Sequence, residues 1–120
     1  MGFRHEYTGL YAGDLPIQHD TFVLESGQDL TRGAVLGRKA TGGKLVLSLA
    51  AANDGSEKPI AILADDVDAS SGDITCAAYV AGEFFASECT LGAGHTVASV
   101  TAAWRDEGRQ LFLRTSAAAA

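Results

Sequence analysis

Ala34-Val35-Leu36-Gly37-Arg38-Lys39-Ala40-Thr41-Gly42-Gly43-Lys44-Leu45-Val46-Leu47-Ser48-Leu49 is the stretch whose reading decides the fold class. Residues 34–37 read as a strand, and residues 44–49 follow as a second one with partial alternation. Between them stands Thr41-Gly42-Gly43, a strong hairpin turn because glycine reaches positive φ without a Cβ clash. The same texture continues outward in both directions. Upstream, Thr21-Phe22-Val23-Leu24 is another short β-favouring run. Ser26-Gly27-Gln28-Asp29-Leu30 reads as one helical turn, with Ser26 as cap and Gly33 as stop. Downstream, Asn53-Asp54-Gly55 marks a turn before the compact apolar strand Ile60-Ala61-Ile62-Leu63. Ser70-Ser71-Gly72-Asp73 turns into Ile74-Thr75-Cys76-Ala77-Ala78-Tyr79-Val80, and Ala81-Gly82-Glu83 reads as a tight turn leading to Phe84-Phe85. Turns at this spacing suit a mainly β domain, a small barrel or sandwich.

The C-terminal part changes period. Val97, Val100, Ala103 and Trp104 fall on one helical face. Thr96 is placed to cap the helix and Gly108 to end it. Gln110-Leu111-Phe112-Leu113 then reads as a closing strand, and residues 115–120 as a low-complexity tail. At the other end, Phe3, Tyr7 and Tyr11 stand apart among polar residues, before Gly13-Asp14-Leu15-Pro16. Isolated apolar anchors in a terminal segment predict a flexible N-terminal arm over residues 1–16. Residues 17–114 form the β-rich domain.

At 120 residues with 47% hydrophobic side chains, the chain holds one domain with a real core. No stretch approaches the roughly 20 apolar residues that a membrane span needs. The first seven residues lack an apolar signal core, so synthesis in the cytoplasm is expected. A net charge of −6 with scattered basic residues argues against binding nucleic acid, which needs clustered Lys and Arg. Without a secretory signal, Cys76 and Cys89 are expected as reduced, partly buried thiols.

Catalytic and metal motifs fail residue by residue. Asp66, Asp68 and Ser70 occupy the first, third and fifth positions of a calcium loop, but its sixth and twelfth positions hold Ser71 and Ala77. Leu91-Gly92-Ala93-Gly94-His95-Thr96 precedes a helix, yet lacks the Gly-Lys-Ser/Thr ending of a phosphate loop. A sharp turn with a helix cap explains it. His95 has no Ser, Cys or carboxylate at a recognisable motif spacing and reads as structural. His5, His19 and His95 are scattered, as are the cysteines, so no metal constellation emerges. No catalytic residue, cofactor or metal is expected, and the sequence points away from an enzyme.

Four segments in order carry a resemblance: Ala12-Gly13-Asp14-Leu15-Pro16, Leu30-Thr31-Arg32-Gly33-Ala34-Val35-Leu36-Gly37, Pro59-Ile60-Ala61-Ile62-Leu63-Ala64 and Tyr79-Val80-Ala81-Gly82-Glu83-Phe84. Over residues 11–113 the chain resembles the lambda-type phage head decoration protein D family. The resemblance implies a β-clip-like fold and a homotrimer on the outer surface of the expanded head, in the virion. It implies contact with the major capsid protein, stabilisation against the pressure of packaged DNA, and no catalysis. It further implies an arm that is disordered in the free trimer and orders on the coat protein. By position, that arm is residues 2–14, with Phe3, Tyr7, Leu10 and Tyr11 as anchors and Asp14 at its end. Another possibility is that these aromatics fold back on their own domain. Two other functional readings stand beside decoration: a small β-barrel module binding a metabolite or glycan, and a scaffold or tail component of the same virus.

Overall fold

A computed structural model describes residues 16–114. The predicted arm, with Phe3, Tyr7, Leu10, Tyr11 and Asp14, lies outside these residues except for Pro16, and so does the tail 115–120. Eight strands, one α-helix and a short 3-10 turn (Ala86–Glu88, after β7) occur among the described residues: β1 (Gln18–Leu24), β2 (Asp29–Leu30), β3 (Val35–Arg38), β4 (Leu45–Leu47), β5 (Pro59–Leu63), β6 (Val67–Asp68), β7 (Ile74–Phe85), α1 (Val97–Glu107) and β8 (Leu111–Arg114). The sheet runs β1-β4-β3-β5-β7, and β1 pairs again with β7. That second pairing closes a five-stranded barrel. The fold is mainly β, with one helix, as the turn spacing predicts.

The hairpin around Thr41-Gly42-Gly43 forms β3 and β4, paired antiparallel from Leu36↔Leu47 to Arg38↔Leu45. The Lys39 N–H donates to Lys44 O at 2.9 Å and closes the turn. β4 is shorter than the six residues read from the sequence: the Ser48 N–H still donates to Val35 O, but the Val35 N–H donates to Thr90 O instead of back to Ser48, and the ladder ends there.

Two cores explain which strands read as continuous apolar runs. Leu24, Leu36, Leu45, Ala61, Leu63, Cys76 and Ala78 fill the barrel. Val35, Ile62, Tyr79, Phe84, Val100, Trp104 and Leu111 pack between the barrel wall, α1 and β8. Neighbouring residues of one strand therefore serve different cores: Ala61 and Leu63 point one way and Ile62 the other. β5 is covered on both faces, which removes the alternation a half-exposed strand would show.

The helix follows its local signals closely. Thr96 caps it: its hydroxyl accepts from the Ser99 N–H at 3.1 Å, while Ser99 Oγ accepts from the Thr96 N–H at 2.8 Å. Gly108 ends it in the left-handed region at φ 70°. Val100 and Trp104 are buried, and Val97 and Ala103 are half-buried. The Trp104 indole N–H donates to Pro59 O at 3.0 Å, tying the helix to the start of β5.

Two local expectations are overturned. Residues 26–30 form no helical turn. The Ser26 N–H donates to Asp73 Oδ1, the Gly27 N–H donates to Ala69 O, and Asp29-Leu30 pairs with Val67-Asp68 as the ribbon β2–β6. One isolated helical turn satisfies few backbone groups, so these longer-range partners win. Nor is Ala81-Gly82-Glu83 a tight turn. β7 runs through it unbroken, and Gly82, at φ 139°, marks where β7 exchanges neighbours. Before it β7 pairs antiparallel with β1 and β5; from Gly82 onward it pairs parallel with β8. A Cβ at Gly82 would sit 3.0 Å from the Phe84 ring, so the bend also gives that ring its place in the core.

Candidate functional site

The fold supplies His95 with partners that linear spacing hides. The turn before it crosses the end of β4 so closely that a Cβ at Gly92 would lie 1.9 Å from Ser48 O. Only glycine permits that approach. The His95 ring then meets three groups. Nε2 lies 3.1 Å from Ser48 Oγ and 3.1 Å from Glu57 O, and Nδ1 lies 3.0 Å from Ser99 Oγ. Ser48 is 47 residues away in the chain and Glu57 is 38, so no motif search finds them.

A hydroxyl beside an imidazole is the pairing that activates a serine nucleophile. Here the surroundings assign it another role. Ser48 is fully buried, out of reach of a substrate. Its hydroxyl donates to Ser56 O at 2.7 Å, so its proton points away from the ring. Ser99, a neutral hydroxyl, stands where a charged orienting group would be. Ser48 Oγ is thus an acceptor toward the ring, and Glu57 O can only accept. The proton of the neutral imidazole therefore sits on Nε2, and Nδ1 accepts from Ser99. The arrangement fastens a loop to a helix.

The acidic run is spent on one local turn and on contacts with distant loops. Asp66 Oδ1 accepts from the Arg32 N–H at 2.8 Å, and Asp68 Oδ1 accepts from the Ser70 N–H at 3.0 Å and from the Ser70 hydroxyl. Asp73 accepts from the Ser26 N–H and pairs with Lys44 Nζ at 2.7 Å. The Ser70 hydroxyl holds the Asp68 carboxyl below its ordinary range, and the Lys44 ammonium does the same for Asp73. Both are open to solvent, where salt weakens such pairs. Among the described residues no group of three or more His, Cys, Asp or Glu could hold a metal ion.

Cys76 and Cys89 are free thiols, as the sequence predicts. Burial pushes the Cys89 thiol up to about 12, with the Glu88 carboxylate adding to it, and burial raises Cys76 as well. The thiolate is the reactive form. Alkylation of Cys89 by iodoacetamide near neutral pH is therefore expected to run on the order of a thousandfold slower than for a free thiol. Mass spectrometry showing complete modification at the free-thiol rate would contradict this.

The start of β1 is where residues 1–15 connect to the barrel. Ile17 packs on the core beside Phe84, and an open cleft of about 150 Å³ lies alongside, lined by Pro16, Gln18, Ala81 and Gln110. Pockets for small ligands run to roughly 300–1,000 Å³. This cleft is too small for the metabolite or glycan of the alternative reading.

Residues 4–111 match the family model for bacteriophage lambda head decoration protein D, most of the chain. The chain belongs to the bacteriophage lambda head decoration protein D family. No curated protein matches it. Membership makes it a phage head decoration protein, binding a phage capsid and located in the virion. The match takes in Tyr7, Leu10, Tyr11 and Asp14 and begins just after Phe3. Three of the four resembling segments fall on described strands: the end of β2 through most of β3, β5, and the bend of β7. Within residues 16–114 the likeness to the decoration family thus rests largely on core positions.

Proposed function

We propose that the chain is a non-enzymatic homotrimeric clamp on the outer surface of the expanded phage head. It resists the outward pressure of packaged DNA by bridging neighbouring coat subunits. Residues 1–16 act as the arm, with Phe3, Tyr7, Leu10, Tyr11 and Asp14 on the major capsid protein, and residues 17–114 as the body. The family match carries this reading. Ile17, which follows the proposed arm directly, packs on the core and gives the arm a fixed point of attachment. No cofactor, nucleic acid or membrane is required, and a net charge of −6 suits a protein that never touches DNA. Among the described residues no helix is long and apolar enough to cross a membrane.

The physical steps are ordinary ones. An extended arm adds a strand to an open edge of the coat protein, with backbone hydrogen bonds giving affinity and side-chain pockets giving register. Three arms on one trimer raise the effective concentration of each successive attachment. A subunit that binds only the expanded shell stabilises that state by mass action. Purified protein is therefore expected to co-sediment with expanded empty heads and not with unexpanded ones. Equal binding to both, or to neither, would overturn the reading.

A further inference from the structure

We propose that His95, Glu57 and Ser99 form a latch that holds residues 48–58 in both charge states of the imidazole, the Ser99 hydroxyl reversing its hydrogen bond when the ring gains its second proton. The proposal is independent of the decoration reading. It rests on counting donors and acceptors around one ring. In the neutral ring Nε2–H donates toward Ser48 Oγ and Glu57 O, and Nδ1 accepts from the Ser99 hydroxyl. Ser99 Oγ accepts from the Thr96 N–H at 2.8 Å. The Ser99 hydroxyl also has Thr96 O within donating distance at 3.0 Å, so its single proton has two acceptors in reach, Thr96 O and, in the neutral ring, Nδ1. Thr96 O accepts from the Val100 N–H at 3.0 Å as well and stays bonded when the proton is on Nδ1.

Adding a proton at Nδ1 turns that nitrogen into a donor. Ser99 Oγ then accepts from both Nδ1–H and the Thr96 N–H, and its own proton swings to Thr96 O. A hydroxyl has one donor and two acceptor sites, and all three are then filled. Nothing on the Nε2 side changes. A fixed N–H donor in place of Ser99 would instead face the new proton and push the ring away, as in histidine switches that open in acid.

The charged groups around the ring leave this exchange undisturbed. On the latched segment, Asp54 is occupied by the Ser56 N–H and hydroxyl, Glu57 Oε1 accepts from the Gly55 N–H at 2.9 Å, and Lys58 is exposed. The first turn of α1 carries no acidic residue. On the neighbouring hairpin, Lys39 pairs with Glu25 and Lys44 with Asp73. None of these carboxylates is directed at the ring, so the hydroxyl is the group that answers its charge.

Amide hydrogen exchange of residues 49–58 in the full-length protein tests the latch, compared at about pH 8 and about pH 5, with nitrogen NMR reporting the charge state of the ring at each. After correction for intrinsic rates, protection in the wild type is expected to agree within about twofold. Ser99→Ala removes the acceptor for Nδ1–H, so its protection is expected to fall about tenfold further at the lower pH. The cap that Ser99 also provides is lost equally at both pH values, which separates the two effects. Ser99→Thr keeps the hydroxyl and is expected to behave as wild type. Nitrogen NMR of the wild-type ring is expected to find the neutral form protonated at Nε2. A neutral ring protonated at Nδ1, a wild-type loop that opens in acid, or Ser99→Ala with no added pH dependence would each overturn the latch.

Discussion

Deleting residues 2–14 is expected to abolish head decoration while leaving the barrel folded. Strand pairing among the described residues begins at Gln18, and Ile17 already packs on the core, so the truncation stops short of both. In the proposed trimeric clamp, three strand additions would be lost at once. Linked attachments multiply rather than add, so affinity for expanded heads is expected to fall by at least about a hundredfold. Tyr7→Ala and Tyr11→Ala should be milder, because the backbone pairing survives. Sedimentation with expanded heads measures the loss, and circular dichroism checks the fold. Truncated protein that decorates heads with near wild-type affinity would move the proposed clamp into residues 17–114.

Trp104→Ala is expected to be the most damaging single truncation in the body. Trp104 is 1% exposed and shares the outer core with Phe84, Val100, Tyr79 and Leu111. Truncating a buried Trp costs about 3–5 kcal/mol, from lost burial and the cavity left behind. A domain of ordinary stability, about 5–15 kcal/mol, survives that only in part. The indole also donates to Pro59 O, and the alanine variant leaves that buried strand-end carbonyl without it. Trp104→Phe keeps much of the packing and loses the donor, so it should fall between. Urea denaturation reads both. A loss under about 1 kcal/mol for Trp104→Ala would mean that α1 contributes little to the fold.

The candidate sites were legible to different degrees, for reasons of distance along the chain. Phe3, Tyr7, Leu10, Tyr11 and Asp14 were reached only through resemblance and position, since isolated aromatics in a polar segment have no period to read. His95 was read as structural, and its ring bonds to Ser48, Glu57 and Ser99. Its partners Ser48 and Glu57 could not be named, because they reach the ring only after the barrel closes. A buried serine next to an imidazole looks like catalytic chemistry until burial and proton direction are known, and sequence carries neither.

What the sequence determined by itself is whatever a few neighbouring residues settle. The Thr41-Gly42-Gly43 turn, the helix from its Thr96 cap to Gly108, and the apolar strands around it all follow from local backbone preference and side-chain period. The tertiary structure decided the cases where local preference was weak or silent. Residues 26–30 had a helical option worth a single turn and lost it to β6 and Asp73. Gly82 offered the signature of a turn, but β1, β5 and β8 supplied hydrogen bonds on both sides of it, and the strand ran through. β5 is apolar along its length because one core lies inside the barrel and another outside it. A residue's neighbours in sequence set which conformations are cheap. Its neighbours in space set which of those satisfies every buried polar group and fills the core, and where several are nearly equal in cost that second condition chooses.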